Sequence, residues 1–150
     1  MSTPSYDVAI LGAGVAGAGL AAALADSGLE VALVEPRVTQ APGETWDSRI
    51  YAVSPGAVAF LAASGAWERM DTSRIAHIET MRVSGDHAFA SLAFNAYDAG
   101  LGELAYIAES GRMQYALRQR IAELPNVTMH HARSEEHTSE LQSHSFISYA

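Results

Sequence analysis

One stretch constrains this chain more than any other. From Asp7 to Glu35 an apolar run, Val8-Ala-Ile-Leu11, meets the turn Gly12-Ala13-Gly14-Val15-Ala16-Gly17, and an alanine-rich segment follows. The run at 7–11 is expected to form a strand buried on both faces of a parallel sheet. Gly12 lets the chain leave that strand in a tight turn, and Gly14 keeps the surface of the turn free of a side chain. Gly17 allows the next helix to pack closely on the strand. That helix, expected over about residues 15–26, turns unpaired N–H groups and the positive end of its dipole toward the bend. The result is an anion site suited to a diphosphate. Gly28 is expected to stop the helix, and Leu29 to Val34 to return as a parallel strand through a right-handed crossover. Glu35 closes that strand at close to the ~20-residue offset from the glycines at which a carboxylate can accept bonds from ribose hydroxyls.

Glycine triads alone also mark ordinary turns. Here a strand pattern precedes the triad, a helix pattern follows it, and an acid closes the next strand, so the reading is a dinucleotide-binding unit. A membrane helix is the competing reading, since residues 8–25 carry no charge. That run is mostly Gly and Ala, which gain little in lipid, and it lacks a basic flank. A signal peptide is not expected either, because the first basic residue is Arg37.

Composition narrows the classes further. The 150 residues suffice for one ordinary core, with a formal charge of −8 and no cysteine. Without thiols there is no disulfide scaffold or thiolate site, which fits a reducing, cytoplasmic setting. The acidic balance argues against a nucleic-acid partner. All nine basic residues are Arg, and Ala is abundant, as GC-rich codons would produce.

Residues 133–150 are set aside as non-native. Arg133-Ser-Glu-Glu-His-Thr-Ser-Glu-Leu-Gln-Ser-His144 resembles the in-frame translation of a widely used short-read sequencing adapter. After a gap the length of a variable index, Ile147-Ser-Tyr-Ala150 matches the adapter's continuation. Such a scar is excluded from fold reasoning, and its polar, aperiodic composition predicts disorder. The native reading frame is expected to break off near Ala132.

Between these ends the chain reads in pieces. Residues 38–47 form a loop by their Pro and Gly content. Ser54-Pro55 is an N-cap with Pro at the first helical position, and Val58, Leu61 and Ala62 line the inner face of a short helix ending near Gly65. Residues 76–83 and 88–95, separated by Gly85-Asp86, predict a hairpin in a second sheet. A short strand at 104–108, a helix over 112–123 and a strand starting at Val127 come next, the last returning to the dinucleotide sheet. His130 and His131 would point to opposite faces of that strand and cannot readily chelate one ion, so no metal site is assigned. Trp46 and Trp67 are read as packing residues rather than platforms for bases.

With those pieces in place, residues 6 to about 132 resemble the N-terminal third of the flavin-dependent aromatic hydroxylases, closest to the ubiquinone-biosynthesis subgroup. Three blocks carry the resemblance: Tyr6-Asp-Val-Ala-Ile-Leu-Gly-Ala-Gly14, Asp47-Ser-Arg49-Ile-Tyr-Ala-Val-Ser54, and Leu104-Ala-Tyr-Ile-Ala-Glu109-Ser-Gly-Arg-Met-Gln114. Ala105 and Ser110 depart from the third block, standing where Gly and Asn are usual. The resemblance implies an α/β fold: a Rossmann-like FAD-binding domain, a parallel sheet with crossover helices, plus part of a β-rich substrate domain, incomplete here. On that scheme residues 1–75 and 104–132 belong to the FAD-binding domain and 76–103 to the substrate domain.

The implied cofactor is FAD, its adenosine diphosphate half held by Gly12, Gly14, Gly17 and Glu35, with Ala13, Val15 and Ala16 completing the turn. Arg49 is implied to lie on the flavin side and pair with the diphosphate, and Gln114 to add a polar contact. In this family NADH or NADPH reduces the flavin, and oxygen from dioxygen passes to an aromatic ring, here a quinone precursor. Catalytic residues are not identifiable, because the family's later segments that close the flavin site are absent, and the fragment alone is expected to be inactive. Two alternatives stay open: another flavoprotein of the superfamily, such as a reductase or halogenase, and a non-catalytic dinucleotide-binding fragment. No transmembrane segment is expected; family members acting on polyprenylated rings work near membrane surfaces, but nothing in residues 1–132 anchors the chain there.

Overall fold

The computed structural model describes residues 4–38, 40–86 and 91–132. The expectations for the tail at 133–150 and for residues 88–90 of the hairpin therefore lie outside the described residues.

The opening unit is β1 (Val8–Leu11), α1 (Val15–Ala23) and β2 (Val31–Val34), with β1 and β2 parallel in the register Val8↔Val31 to Leu11↔Val34. A later strand, β8 (Val127–His130), lies parallel on the other side of β2, Val31 opposite Val127. The order β1-β2-β8 makes β2 the central strand, which is why an unbroken Val-Ala-Leu run suits it. Val31 and Leu33 are fully buried there, each contributing about 1.5–3 kcal/mol by leaving water.

β1 departs from its expectation of burial on both faces. Ile10 is buried, but Leu11 is 68% exposed. Among the described residues β1 pairs only with β2, so one edge stays open. α1 also stops earlier than expected, at Ala23 rather than near 26, with Leu24 as its C-cap. The chain then turns through Ser27, whose Oγ donates to the Leu24 carbonyl at 2.7 Å, and through Gly28 at φ +74°. Asn126 Nδ2 donates to the carbonyls of both Leu24 and Leu29 at 2.9 Å. One side chain at the foot of β8 thus pins both ends of the α1–β2 connection.

A second sheet is antiparallel: β3 (Ile50–Val53), β7 (Ala105–Glu109) and β4 (Ala76–Ile78), with β7 in the middle. Helix α2 (Pro55–Ala63) follows β3 directly. Ser54 caps it as expected, its Oγ accepting from the Ala57 amide at 3.2 Å, and Pro55 opens it. Helix α3 (Ser110–Ile121) follows β7 without a loop and packs on α1. Its apolar stripe of Met113, Ala116, Leu117 and Ile121 meets Ala18, Ala21 and Ala22 in one core with Val31 and Leu33. The small residues of α1 allow the two helices to approach closely.

The hairpin forms from narrower strands than expected, β5 (Thr80–Ser84) and β6 (Ser91–Asn95), in the register Thr80↔Asn95 to Ser84↔Ser91. Residues 76–78, expected to belong to it, form β4 and pair with β7, Ala76 opposite Ile107. Tertiary pairing with β7 overrides the local alternation here.

Trp67 packs edge-on against Tyr106 at 5.6 Å between ring centroids. Trp46 does not pack in a core: it is 69% exposed, with the Arg74 guanidinium 3.5 Å over its ring. His130 Nε2 meets the Tyr6 hydroxyl at 2.8 Å, and His131 Nδ1 lies 3.3 Å from the Glu35 carbonyl.

Candidate functional site

The bend after β1 is built by two close approaches. Gly12 sits at φ +94°, a conformation open chiefly to glycine, and its amide donates to the Val34 carbonyl at 2.8 Å. A Cβ on Gly17 would land on the Gly12 carbonyl oxygen and reach 3.3 Å from Ile10 Cγ2. Gly14 differs, since a Cβ there would meet nothing within 4 Å. It stands at the N-cap of α1 in extended conformation and makes no side-chain cap bond. The first amides of α1 therefore lack the partners a capping side chain would give them. No acidic side chain of α1 itself occupies the first turn, where the positive end of the helix dipole lies.

A cleft of about 860 Å³ opens against this bend. Gly12, Gly14, Val15, Ala16 and Gly17 line it on one side, Tyr51 to Ser54 and Phe60 on another, and Met113 and Gln114 of α3 on a third. Five of the six turn residues singled out from sequence thus share one cavity. The sixth, Ala13, is buried and turns its amide the other way, to Glu35 Oε2 at 2.9 Å. Glu35 Oε1 accepts from the Arg37 amide at 3.0 Å. Burial pushes the Glu35 carboxyl up, but the Ala13 and Arg37 amides, helped by the Arg118 and Arg37 charges, hold it below its ordinary value.

Arg49 lies elsewhere. It lines a second cleft of about 390 Å³ with Gly43, Trp46, Asp47, Gly111 and Arg112. Gln114 lines both clefts and joins them; its Nε2 donates to Ser110 Oγ at 3.3 Å. The Arg49 side chain is 75% exposed and forks onto Asp47, Nε to Oδ1 and Nη2 to Oδ2, both at 3.3 Å. The Arg49 amide and guanidinium hold the Asp47 carboxyl below its ordinary value. Arg49 thus stands apart from the glycine bend, with its guanidinium paired to Asp47.

Sequence reasoning left out the group that shapes the second cleft. Glu109 is 2% exposed and accepts from Arg74, Arg112 and the Asp47 amide. Arg74 foremost, with the Asp47 amide and Arg112, holds its carboxyl below the ordinary value against the opposing effect of burial. The i,i+3 spacing of Glu109 and Arg112 was visible in the sequence; the role of Arg74 was not.

No family profile matches the chain. Over 132 residues it is 30% identical to the 3-demethoxyubiquinol 3-hydroxylase of Escherichia coli, covering 86% of this chain and 33% of that protein. Over 123 residues it is 27% identical to the mitochondrial ubiquinone biosynthesis monooxygenase COQ6 of Mus musculus, covering 77% of this chain and 25% of that protein. Among solved structures, p-nitrophenol 4-monooxygenase PnpA from Pseudomonas putida superposes with a TM-score of 0.60 at 17% identity, over 86% of this chain and 31% of that one. PqsL from Pseudomonas aeruginosa, described as "a probable FAD-dependent monooxygenase", gives 0.59 at 22% identity, over 83% of this chain and 32% of that one. Sequence and fold point the same way.

Over most of its length the chain is similar in sequence to ubiquinone-biosynthesis hydroxylases and in fold to flavin-dependent monooxygenases. It spans between a quarter and a third of the length of the relatives it matches. Among the described residues, no helix is long and apolar enough to cross a membrane.

Proposed function

We propose that this chain supplies the adenosine diphosphate half-site for FAD. The observation that carries the reading is the uncapped start of α1 opening, past the empty space at Gly14, onto the large cleft. A pyrophosphate fits where no Cβ intervenes and where amides are free to donate. Gly12 and Gly17 shape the bend, and the amides of Val15, Ala16 and Gly17 donate to phosphate oxygens. Glu35 orients the ribose. Each of its oxygens already takes one amide, which leaves lone pairs for ribose hydroxyls. Arg49 and Gln114 serve the flavin end of the diphosphate.

When bound in a full-length hydroxylase, FAD supplies the redox chemistry that carries oxygen from dioxygen to an aromatic ring with electrons from NADH or NADPH. The relatives support a quinone precursor as the ring. On this reading residues 1–75 and 104–132 are the cofactor domain, and the β5–β6 hairpin is the start of a substrate domain. For the present chain we infer binding without turnover. Leu11, Tyr51 and Phe60 border the cleft yet are 68%, 54% and 47% exposed, so water is not shut out as the chemistry requires.

Flavin fluorescence during titration with the purified chain, alongside NADH and NADPH oxidation, tests this. The expected result is weak uptake, with a dissociation constant above roughly 100 µM because few of the cofactor's groups find partners, and no oxidation of either nucleotide. A tight stoichiometric yellow complex, or turnover, would contradict it.

A further inference from the structure

A carboxylate withdrawn from water destabilises a fold unless donors meet it on all sides. Glu109, at the end of β7 and the cap position of α3, is met on all sides. Arg74 forks onto it, Nε to Oε2 at 3.0 Å and Nη2 to Oε1 at 2.8 Å. Arg112 Nε donates to Oε2 at 2.7 Å, and the Asp47 amide donates to Oε1 at 2.6 Å.

Every one of these donors leads to the same loop. Arg112 Nη2 also donates to the Gly43 carbonyl at 2.9 Å. Arg74 donates to the carbonyls of Glu44 and Thr45 at 3.1 and 3.3 Å, and its guanidinium lies over Trp46. The next residue, Asp47, is bonded by Glu109 itself. Downstream, the Arg49 amide donates to Asp47 Oδ1 at 2.9 Å and the Arg49 carbonyl accepts from the Ser110 amide at 2.8 Å. Residues 43–49 have little apolar burial, and two arginines tied to one buried acid stand in for it.

We propose that Glu109 is a positioning residue: through Arg74, Arg112 and the Asp47 amide it fixes the Gly43–Arg49 loop, so that the Arg49 guanidinium faces the cleft joined to the glycine bend at Gln114. The proposal rests on the reading that Arg49 meets the cofactor's diphosphate. It deepens that reading by naming what aims the guanidinium. Glu109 touches no cofactor itself.

Glu109→Gln keeps the shape and one acceptor oxygen but removes the charge that holds both arginines. Amide hydrogen exchange and the Arg49 Nε–H resonance, followed by NMR on the whole chain with and without FAD, read the consequence. The expected result is exchange faster by roughly tenfold or more at Asp47 and Arg49, with α1 and β2 amides unchanged. The Arg49 Nε–H signal should move toward its free-peptide position. FAD should still shift Gly14–Gly17 while no longer shifting Arg49. Arg74→Lys, which keeps the charge but lacks the planar fork that meets both Glu109 oxygens, should act in the same direction and covers the case in which Glu109→Gln fails to fold. Loop exchange and an Arg49 signal unchanged from wild type in the folded variants would overturn the proposal. If FAD shifts neither region of the wild-type chain, the half-site reading fails, and the Arg49 signal of the free protein still decides what Glu109 does.

Discussion

The amide of Ala13 donates to Glu35 Oε2 at 2.9 Å, across 22 positions of sequence. The acid that closes β2 is therefore locked to the back of the bend that opens α1, before any ligand is present. The same contact engages the Ala13 amide, and neither Ala13 nor Glu35 lines the cleft that opens at the glycine bend. Replacing Glu35 by Ala leaves the amides of Ala13 and Arg37 without their acceptor, at a cost of about 1–2 kcal/mol. Urea unfolding of the chain checks this; unchanged stability would show that the bend does not need its acid.

Gly17 and Gly14 should respond oppositely to the same substitution. Gly17→Ala drives a methyl into the Gly12 carbonyl and Ile10, so the bend or the helix must shift, at about 1–3 kcal/mol or more. Gly14→Ala meets open space at an ordinary φ of −67° and should leave the unfolding midpoint close to that of wild type. Any loss in Gly14→Ala should appear in ligand binding instead. Thermal melts of the two variants side by side give the answer.

Acid should loosen the chain through Glu109. Its folded-state pKa lies below the ordinary carboxyl value because Arg74, the Asp47 amide and Arg112 favour the ionised form over burial's opposing effect. A depressed carboxyl contributes its full stability above its unfolded value of about 4.3, and that contribution drains away as pH falls through the folded-state value. Melting temperature should therefore decline from about pH 5 downward, and Glu109→Gln should flatten the part of the decline that Glu109 causes. An equally steep decline in the variant would assign the effect to Glu35, Asp47, Asp71 and Glu103, whose carboxyls are lowered as well.

Asn126 offers a test of the α1–β2 connection. Its Nδ2 serves two carbonyls, those of Leu24 and Leu29. Asn126→Ala frees both and should cost about 1–3 kcal/mol, with hydrogen exchange raised first at residues 24–31. A uniform rise across the chain would mean that the connection is not a local unit.

These contacts show where the sequence was legible. The unit from β1 to Glu35 could be read because its signals are local: an apolar run, glycines whose φ or crowding excludes a side chain, and an acid at a set offset. Ser54-Pro55 announced α2 for the same reason. β4 was misassigned because its partner, β7, lies in a distant part of the chain, and alternation alone could not choose between that strand and β6. Burial of β1 on both faces was overestimated because an apolar run reports what a strand can tolerate, not which neighbours cover it. The Glu109 centre was hidden most deeply. Its bond to Arg74 spans 35 positions and its bond to Asp47 spans 62, and arginines and acids read one at a time look like surface charges.

The measurement that bears most directly on the account is an ADP titration of the uniformly labelled chain, followed by amide NMR. The account predicts saturable shifts concentrated at Gly14, Val15, Ala16 and Gly17, with smaller ones near Glu35, and their loss in Gly14→Val, where a branched side chain fills the space a pyrophosphate would take. Shifts centred away from the bend, or shifts that survive in Gly14→Val, would contradict it.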